Sequence, residues 1–139
     1  MKLISVITPL VALFSVASAI NVSHDAAYDN GQTLLSTVQC SNGAATFSKY
    51  ITFDKMPSYP YIGSAKDLAC GSCYQLRNDQ HKIYVTVISQ TTEDGFHISQ
   101  NAMDELKNGP GIQVARDSSS EPGVIDAQYT LVDEKYCGL

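Results

Sequence analysis

Four cysteines, Cys40, Cys70, Cys73 and Cys137, follow a segment patterned for export. The compartment decides how they read. In a reducing cytosol, Cys70-Gly71-Ser72-Cys73 is a candidate redox pair or half of a zinc site. In an oxidising compartment, an even count predicts two structural disulfides, with three pairings open.

The export pattern is complete. Met1-Lys2 supplies a basic start, and Leu10, Val11, Leu13 and Phe14 centre an apolar run from Leu3 to Val16. Ala17-Ser18-Ala19 is a small-x-small cleavage site. The expectation is a signal peptide over residues 1–19 and one mature domain over 20–139, beginning at Ile20. The run is too short, and too interrupted by Ser, Thr and Pro, for a membrane span, and no later segment replaces it. The alternative, a helix integral to the fold, is disfavoured by Pro9. Asn21-Val22-Ser23 is a glycosylation sequon almost at the new N-terminus.

The formal net charge is −5, and no Lys/Arg cluster exists. Nucleic acid and anionic membrane are therefore poor partners. The expected location is extracellular or wall-associated.

Strand patterns dominate. From His81 to Ser89, Ile83, Val85 and Val87 alternate with Tyr84, Thr86 and Ile88, so both faces are apolar and the strand is central. From Val124 to Val132, Ile125, Ala127, Tyr129 and Leu131 face inward, and Asp126, Gln128 and Thr130 outward. Shorter strands are predicted at Ser36–Cys40, Phe47–Thr52, Cys73–Leu76 and Gln113–Arg116. Ser99 can cap a helix carrying Ala102, Met103 and Leu106 on one stripe, with Asp104 and Lys107 outside and Asn108-Gly109-Pro110 as the stop. A short helix is also predicted at Asp54–Met56. Tyr59-Pro60-Tyr61 and Asp117–Gly123 read as loops. The fold class is mainly β, with one or two short helices and a closed or nearly closed sheet.

Pairing Cys70 with Cys73 leaves Cys40 and Cys137 to close one long loop. Divergence of the middle two instead ties both chain ends to one central segment. Those loops, Cys40–Cys70 and Cys73–Cys137, correspond to about 3.7 and about 4.3 kcal/mol of loop-closure entropy if added independently. His24, His81 and His97 do not sit at zinc-finger spacing.

The order of motifs resembles the cerato-platanin family of small secreted fungal proteins. The resemblance rests on Val22-Ser23-His24-Asp25-Ala26-Ala27-Tyr28-Asp29, Cys40-Ser41-Asn42-Gly43 and Tyr50-Ile51-Thr52-Phe53. It continues through Tyr59-Pro60-Tyr61-Ile62-Gly63, Cys70-Gly71-Ser72-Cys73-Tyr74, Asp94-Gly95-Phe96-His97-Ile98-Ser99 and Cys137-Gly138-Leu139. It implies a six-stranded double-psi β-barrel with disulfides Cys40–Cys70 and Cys73–Cys137. It also implies a protein without established hydrolase activity or cofactor. Such a protein binds chitin or glucan oligosaccharides, loosens cellulose-like material in expansin fashion, and meets host immune receptors or antibodies as an elicitor or allergen.

Glycoside hydrolysis usually needs two carboxyl groups across the scissile bond. The family's central strand ends in Asp; here Val85-Thr86-Val87-Ile88 ends in Ser89, a sugar-bonding hydroxyl that is no general acid near neutral pH. Where the family usually has Asn, this chain has His97. If that imidazole lines a groove, affinity varies between about pH 5 and 7.5; the alternative is an exposed loop histidine. Tyr28, Asp29, Ser41 and Asn42 complete the candidate carbohydrate-binding set with Ser89 and His97. For Tyr28 the competing role is core packing, and for Asp29 an N-terminal turn. Tyr59 and Tyr61 read as loop supports. Without Trp, a strong aromatic sugar platform is absent and binding is weak. Glu93 and Asp94 are adjacent in a turn and face different directions, and no serine sits in a nucleophile elbow. The reading is a secreted non-catalytic carbohydrate-interacting protein. Its rivals are a weak expansin-like wall modifier and a surface-active self-assembling wall protein.

Overall fold

The computed structural model describes residues 18–38, 40, 49–79, 81–109 and 123–139. Six strands form β1 (Ser18–His24), β2 (Ile62–Ala65), β3 (Cys73–Asn78), β4 (His81–Gln90), β5 (Phe96–Ile98) and β6 (Val124–Val132). They close into a barrel in the order β1-β5-β2-β4-β3-β6. The β1–β5 and β2–β4 pairs are parallel and the other four antiparallel. Closure pairs the first described strand with the last, so among the described strands neither stands as an open sheet edge. The pairing of β1 with β6 starts at Ser18 and Ala19, two residues ahead of the expected mature start.

The barrel interior follows strand alternation. Val22, Leu76, Ile83, Val85, Val87, Phe96 and Ile98 are buried there, each of the aliphatic side chains stabilising the fold by about 1.5–3 kcal/mol. Helix α1 (Gln100–Asn108) adds Ala102, Met103 and Leu106 to this cluster. Ser99 caps it as expected, its Oγ accepting the Ala102 amide at 3.2 Å and donating to the Pro60 carbonyl at 2.6 Å. Gly109 ends it. Asp104 departs from the expected outer face: it is buried, with Gln100 Nε2 donating to its carboxylate at 3.3 Å. On β6, Ile125 and Ala127 are buried, but Leu131 is 63% exposed. It pairs with Tyr74 on β3, which is buried in the core, yet itself stays outside the cluster.

A second core lies outside the barrel wall. Ile62 and Ile88 project outward from β2 and β4 and meet Tyr28, Leu35, Cys40, Phe53 and Met56. This core explains two departures from expectation. Ser36–Val38 and Cys40 are not strand, and residue 39 lies outside the described residues; Leu35–Thr37 is a 3-10 turn, because Thr37 donates from both Oγ1 and N to the Leu34 carbonyl while Leu35 enters the core. Of the strand expected at Phe47–Thr52, Thr52 makes a single bridge to Leu34, and Phe53–Lys55 turns as a 3-10 helix where Asp54–Met56 was expected. Residues 47–48 and the predicted strand Gln113–Arg116 lie outside the described residues.

The disulfides are Cys40–Cys70 and Cys73–Cys137, with Cα–Cα distances of 5.5 and 5.9 Å. The first ties the second core to the loop before β3; the second anchors the C-terminal turn on β3. Pairing across segments consumes the thiols that zinc ligation or a Cys70–Cys73 exchange couple would use.

Candidate functional site

A polar row crosses four strands on the outer barrel wall. Ser23 on β1 pairs with His97 on β5, His97 with Ser64 on β2, and Ser64 with Ser89 on β4. Simple alternation would place Ser89 with Val85 and Val87, inside. The β2–β4 register prevents this: Gly63 pairs with Val87 but Ser64 pairs with Ser89, so Ile88 is an extra residue in a bulge. A bulge bends the strand and re-aims the side chains that follow it. Ser89 is thus brought beside Ser64, on the side where Ile88 enters the second core. Gly63 permits the close approach of β2 to β5, since a Cβ there would lie 2.5 Å from the His97 carbonyl oxygen.

Tyr28 reaches the row from the turn after β1. Its ring is 5% exposed and stacks on Phe53, with centroids 6.0 Å apart. The flat face expected to meet a sugar is therefore spent on the core, and only the hydroxyl is directed at Ser64 and Ser89. Burial pushes its phenol above the ordinary value; the bond to Ser64 opposes this, nearby Asp25 adds to it, and the bond to Ser89 opposes it again.

His97 is a strand residue with a side chain 14% exposed, not an exposed loop histidine. Its Nδ1 is hydrogen-bonded to Ser23 Oγ at 3.0 Å. Its Nε2 is buried without a hydrogen-bond partner among the described residues, and Glu93 Oε1 stands 3.8 Å away. Asp94 instead faces Lys66, 3.3 Å from its Nζ, so Glu93 and Asp94 diverge as expected.

Asp29 holds two other groups. His24 Nε2 donates to Oδ2 at 2.6 Å, and the Gln100 amide to Oδ1 at 2.7 Å. A carboxylate at the start of α1 is favoured by the helix dipole. Tyr59 donates its hydroxyl to the Asp29 carbonyl at 3.2 Å, and Tyr61 donates to Glu105, so both tyrosines brace their loop. Ser41 and Asn42 lie outside the described residues.

The structure therefore brings Ser89 and His97 onto one row and adds the Tyr28 hydroxyl. It places Asp29 at the helix start. Sequence reasoning missed Ser23, Ser64 and His24. The first two stand beside buried residues on strands β1 and β2, and the five-residue step from His24 to Asp29 was the available signal for the third. Among the described residues, no group of three His, Cys, Asp or Glu side chains is placed to hold a metal, and no helix is long and apolar enough to cross a membrane. Elsewhere, an open cleft of about 500 Å³ is lined by Tyr61, Tyr84, Tyr136, Glu105 and Lys135.

Residues 20–139 match the family model described as Cerato-platanin. Allergen Asp f 15 of Aspergillus fumigatus is 35% identical over 128 residues, covering 87% of this chain and 78% of that protein. A heat-stable 19 kDa antigen of Coccidioides immitis is 31% identical over 143 residues, covering 97% and 92%. The crystal structure of cerato-platanin 2 from M. perniciosa superimposes with a TM-score of 0.71 at 32% identity, covering 88% of this chain and all of that one.

Proposed function

Because the chain belongs to the cerato-platanin family, we propose that it is a secreted, non-catalytic protein that binds chitin or glucan oligosaccharides weakly and is recognised by hosts as an antigen or elicitor. The observation that carries the binding reading is the bulge-aligned row Ser89–Ser64–His97–Ser23, with the Tyr28 hydroxyl beside it. Neighbouring strands lie roughly 4.8 Å apart, so four abreast span roughly 14 Å of hydroxyl and imidazole groups. Ser23 and Ser89 at the row's two ends are partly exposed and can donate to and accept from sugar hydroxyls, whereas Ser64 and His97 Nε2 between them are buried. With no free aromatic face in the row, the contact is polar and exchanges with water, which keeps affinity low.

The non-catalytic reading rests on the carboxylates. Ser89 supplies no acid, and both oxygens of Asp29 are engaged by protein groups. Glu93 and Asp94 point to different partners. The two disulfides are compatible with an extracellular location. Host recognition is supported by the relatives named as an allergen and an antigen. The test is a binding titration of wild type, Ser64→Ala and Ser89→Ala with chitin and cellulose oligomers, alongside a reducing-sugar assay. Weakened binding by both variants and no sugar release are expected. Sugar release abolished by one carboxylate substitution would instead establish the hydrolytic reading.

A second reading is favoured by one observation. Leu34 and Ile51 are 48% and 71% exposed on adjacent backbone, where the Leu35 amide donates to the Ile51 carbonyl. Paired exposed aliphatics suit adsorption at an air–water surface. Film formation that is lost in a Leu34→Ser/Ile51→Ser protein and indifferent to chitin oligomer would support it.

A further inference from the structure

We propose that Asn21 carries an N-linked glycan on the outer barrel wall, attached before β1 docks. Asn21-Val22-Ser23 is the one Asn-x-Ser/Thr sequon in the chain. Val22 is fully buried in the barrel, so its neighbours Asn21 and Ser23 point outward by strand alternation. Asn21 is exposed, and its β6 partner, Asp126, is exposed as well. The position beside it on the β5 side is Gly95, which offers no side chain to block a glycan stem. Only glycine fits there, because its φ is +99° and a Cβ would lie 2.5 Å from the Asn21 carbonyl oxygen.

The folded state is a poor acceptor. Ser23 Oγ is hydrogen-bonded to His97, and the sequon backbone is held in ladders to β5 and β6. Topology supplies the necessary delay. Both partners of β1 come late in the chain; His97 follows Ser23 by 74 residues and β6 later still. At roughly 5–20 residues per second, synthesis leaves the sequon unpaired for several seconds at least. The cleavage expected after Ala19 would leave Ile20 alone ahead of Asn21.

The donor is a lipid-diphosphate-linked oligosaccharide. The Asn21 amide nitrogen forms a bond to the anomeric carbon of its first N-acetylglucosamine. The bond from that carbon to the diphosphate oxygen breaks, the lipid diphosphate leaves, and the amide loses one proton. No electrons are exchanged with a third species.

The experiment is secretion of the full chain from yeast, with intact mass and glycopeptide analysis before and after endoglycosidase H. The wild type is expected to be heavier than its polypeptide and to collapse on digestion to one N-acetylglucosamine on Asn21. Ser23→Thr keeps the modification, whereas Asn21→Gln and Ser23→Ala lose it. Secreted wild type at bare polypeptide mass, with an unmodified Asn21 peptide, overturns the proposal whatever the variants do.

Discussion

The Asp29 carboxylate accepts the Gln100 amide across 71 residues of chain, at 2.7 Å. That contact fastens the N-terminal turn to the start of α1, and the bond from His24 fixes the other oxygen. Asp29→Asn is expected to cost about 1 kcal/mol and Asp29→Ala about 1–2 kcal/mol, since a helix-start anion and two charge-assisted bonds are lost. Urea midpoints measure this. Unchanged midpoints for both variants would mean that the strap contributes nothing in solution.

Tyr61 gives stability an alkaline limit. Burial, the bond to Glu105 and the charge of Glu105 push its phenol up to about 12, from an ordinary value of 10.0. A raised phenol pKa in the folded state means that the unfolded chain ionises first. The contribution is therefore complete below about pH 10 and is lost as pH rises from about 10 to about 12. Burial also raises Tyr28, Tyr59 and Tyr74. These four are expected to ionise above the ordinary phenol value in a spectroscopic titration, and Tyr61→Phe to flatten the alkaline fall in melting temperature. Ionisation of Tyr61 near pH 10 in the folded protein, with an unchanged alkaline fall in Tyr61→Phe, would refute this.

The two disulfides differ in what they close. Cys73–Cys137 spans 64 residues and anchors the C-terminal turn; Cys40–Cys70 spans 30. Loop entropy assigns about 4.3 and about 3.7 kcal/mol to them, and removal of a native disulfide typically costs about 2–5 kcal/mol. The double variants Cys73→Ala/Cys137→Ala and Cys40→Ala/Cys70→Ala are both expected to fall in this range by denaturant unfolding, the former losing more.

Much of the barrel was legible in its long strands. The two-sided apolar pattern of residues 81–89 marked β4 as central, and Ile83 and Ile88 do enter different cores. Ser99 and Gly109 bounded α1 because capping is local chemistry. The short strands β2 and β5 were missed, since four and three residues carry too little periodicity. β1 was hidden because its first residues read as a cleavage site. The Ser36–Cys40 strand failed because a local threonine turn and the second core outweighed β propensity. In the site, Ser89 and His97 were found by their place in a family pattern. Their union with Ser64 and Ser23 was not legible, because it depends on a one-residue bulge and non-local pairing.

Tyr28 separates packing from recognition. Tyr28→Phe keeps the ring against Phe53 but removes the hydroxyl facing Ser64 and Ser89. It is expected to weaken oligosaccharide binding by about 2- to 10-fold, the equivalent of one net hydrogen bond. Tyr28→Ala, which empties a core site, is expected to cost about 3–5 kcal/mol of stability. Unaltered binding by the Phe variant would remove Tyr28 from the site while leaving it in the core.

The row itself is tested most directly by following amide chemical shifts as chitin and cellulose oligomers are titrated to millimolar concentration. The account predicts fast-exchange shifts concentrated on Ser23, Tyr28, Ser64, Ser89 and His97. Shifts confined to the cleft around Tyr84 and Tyr136, or none at all, would contradict it.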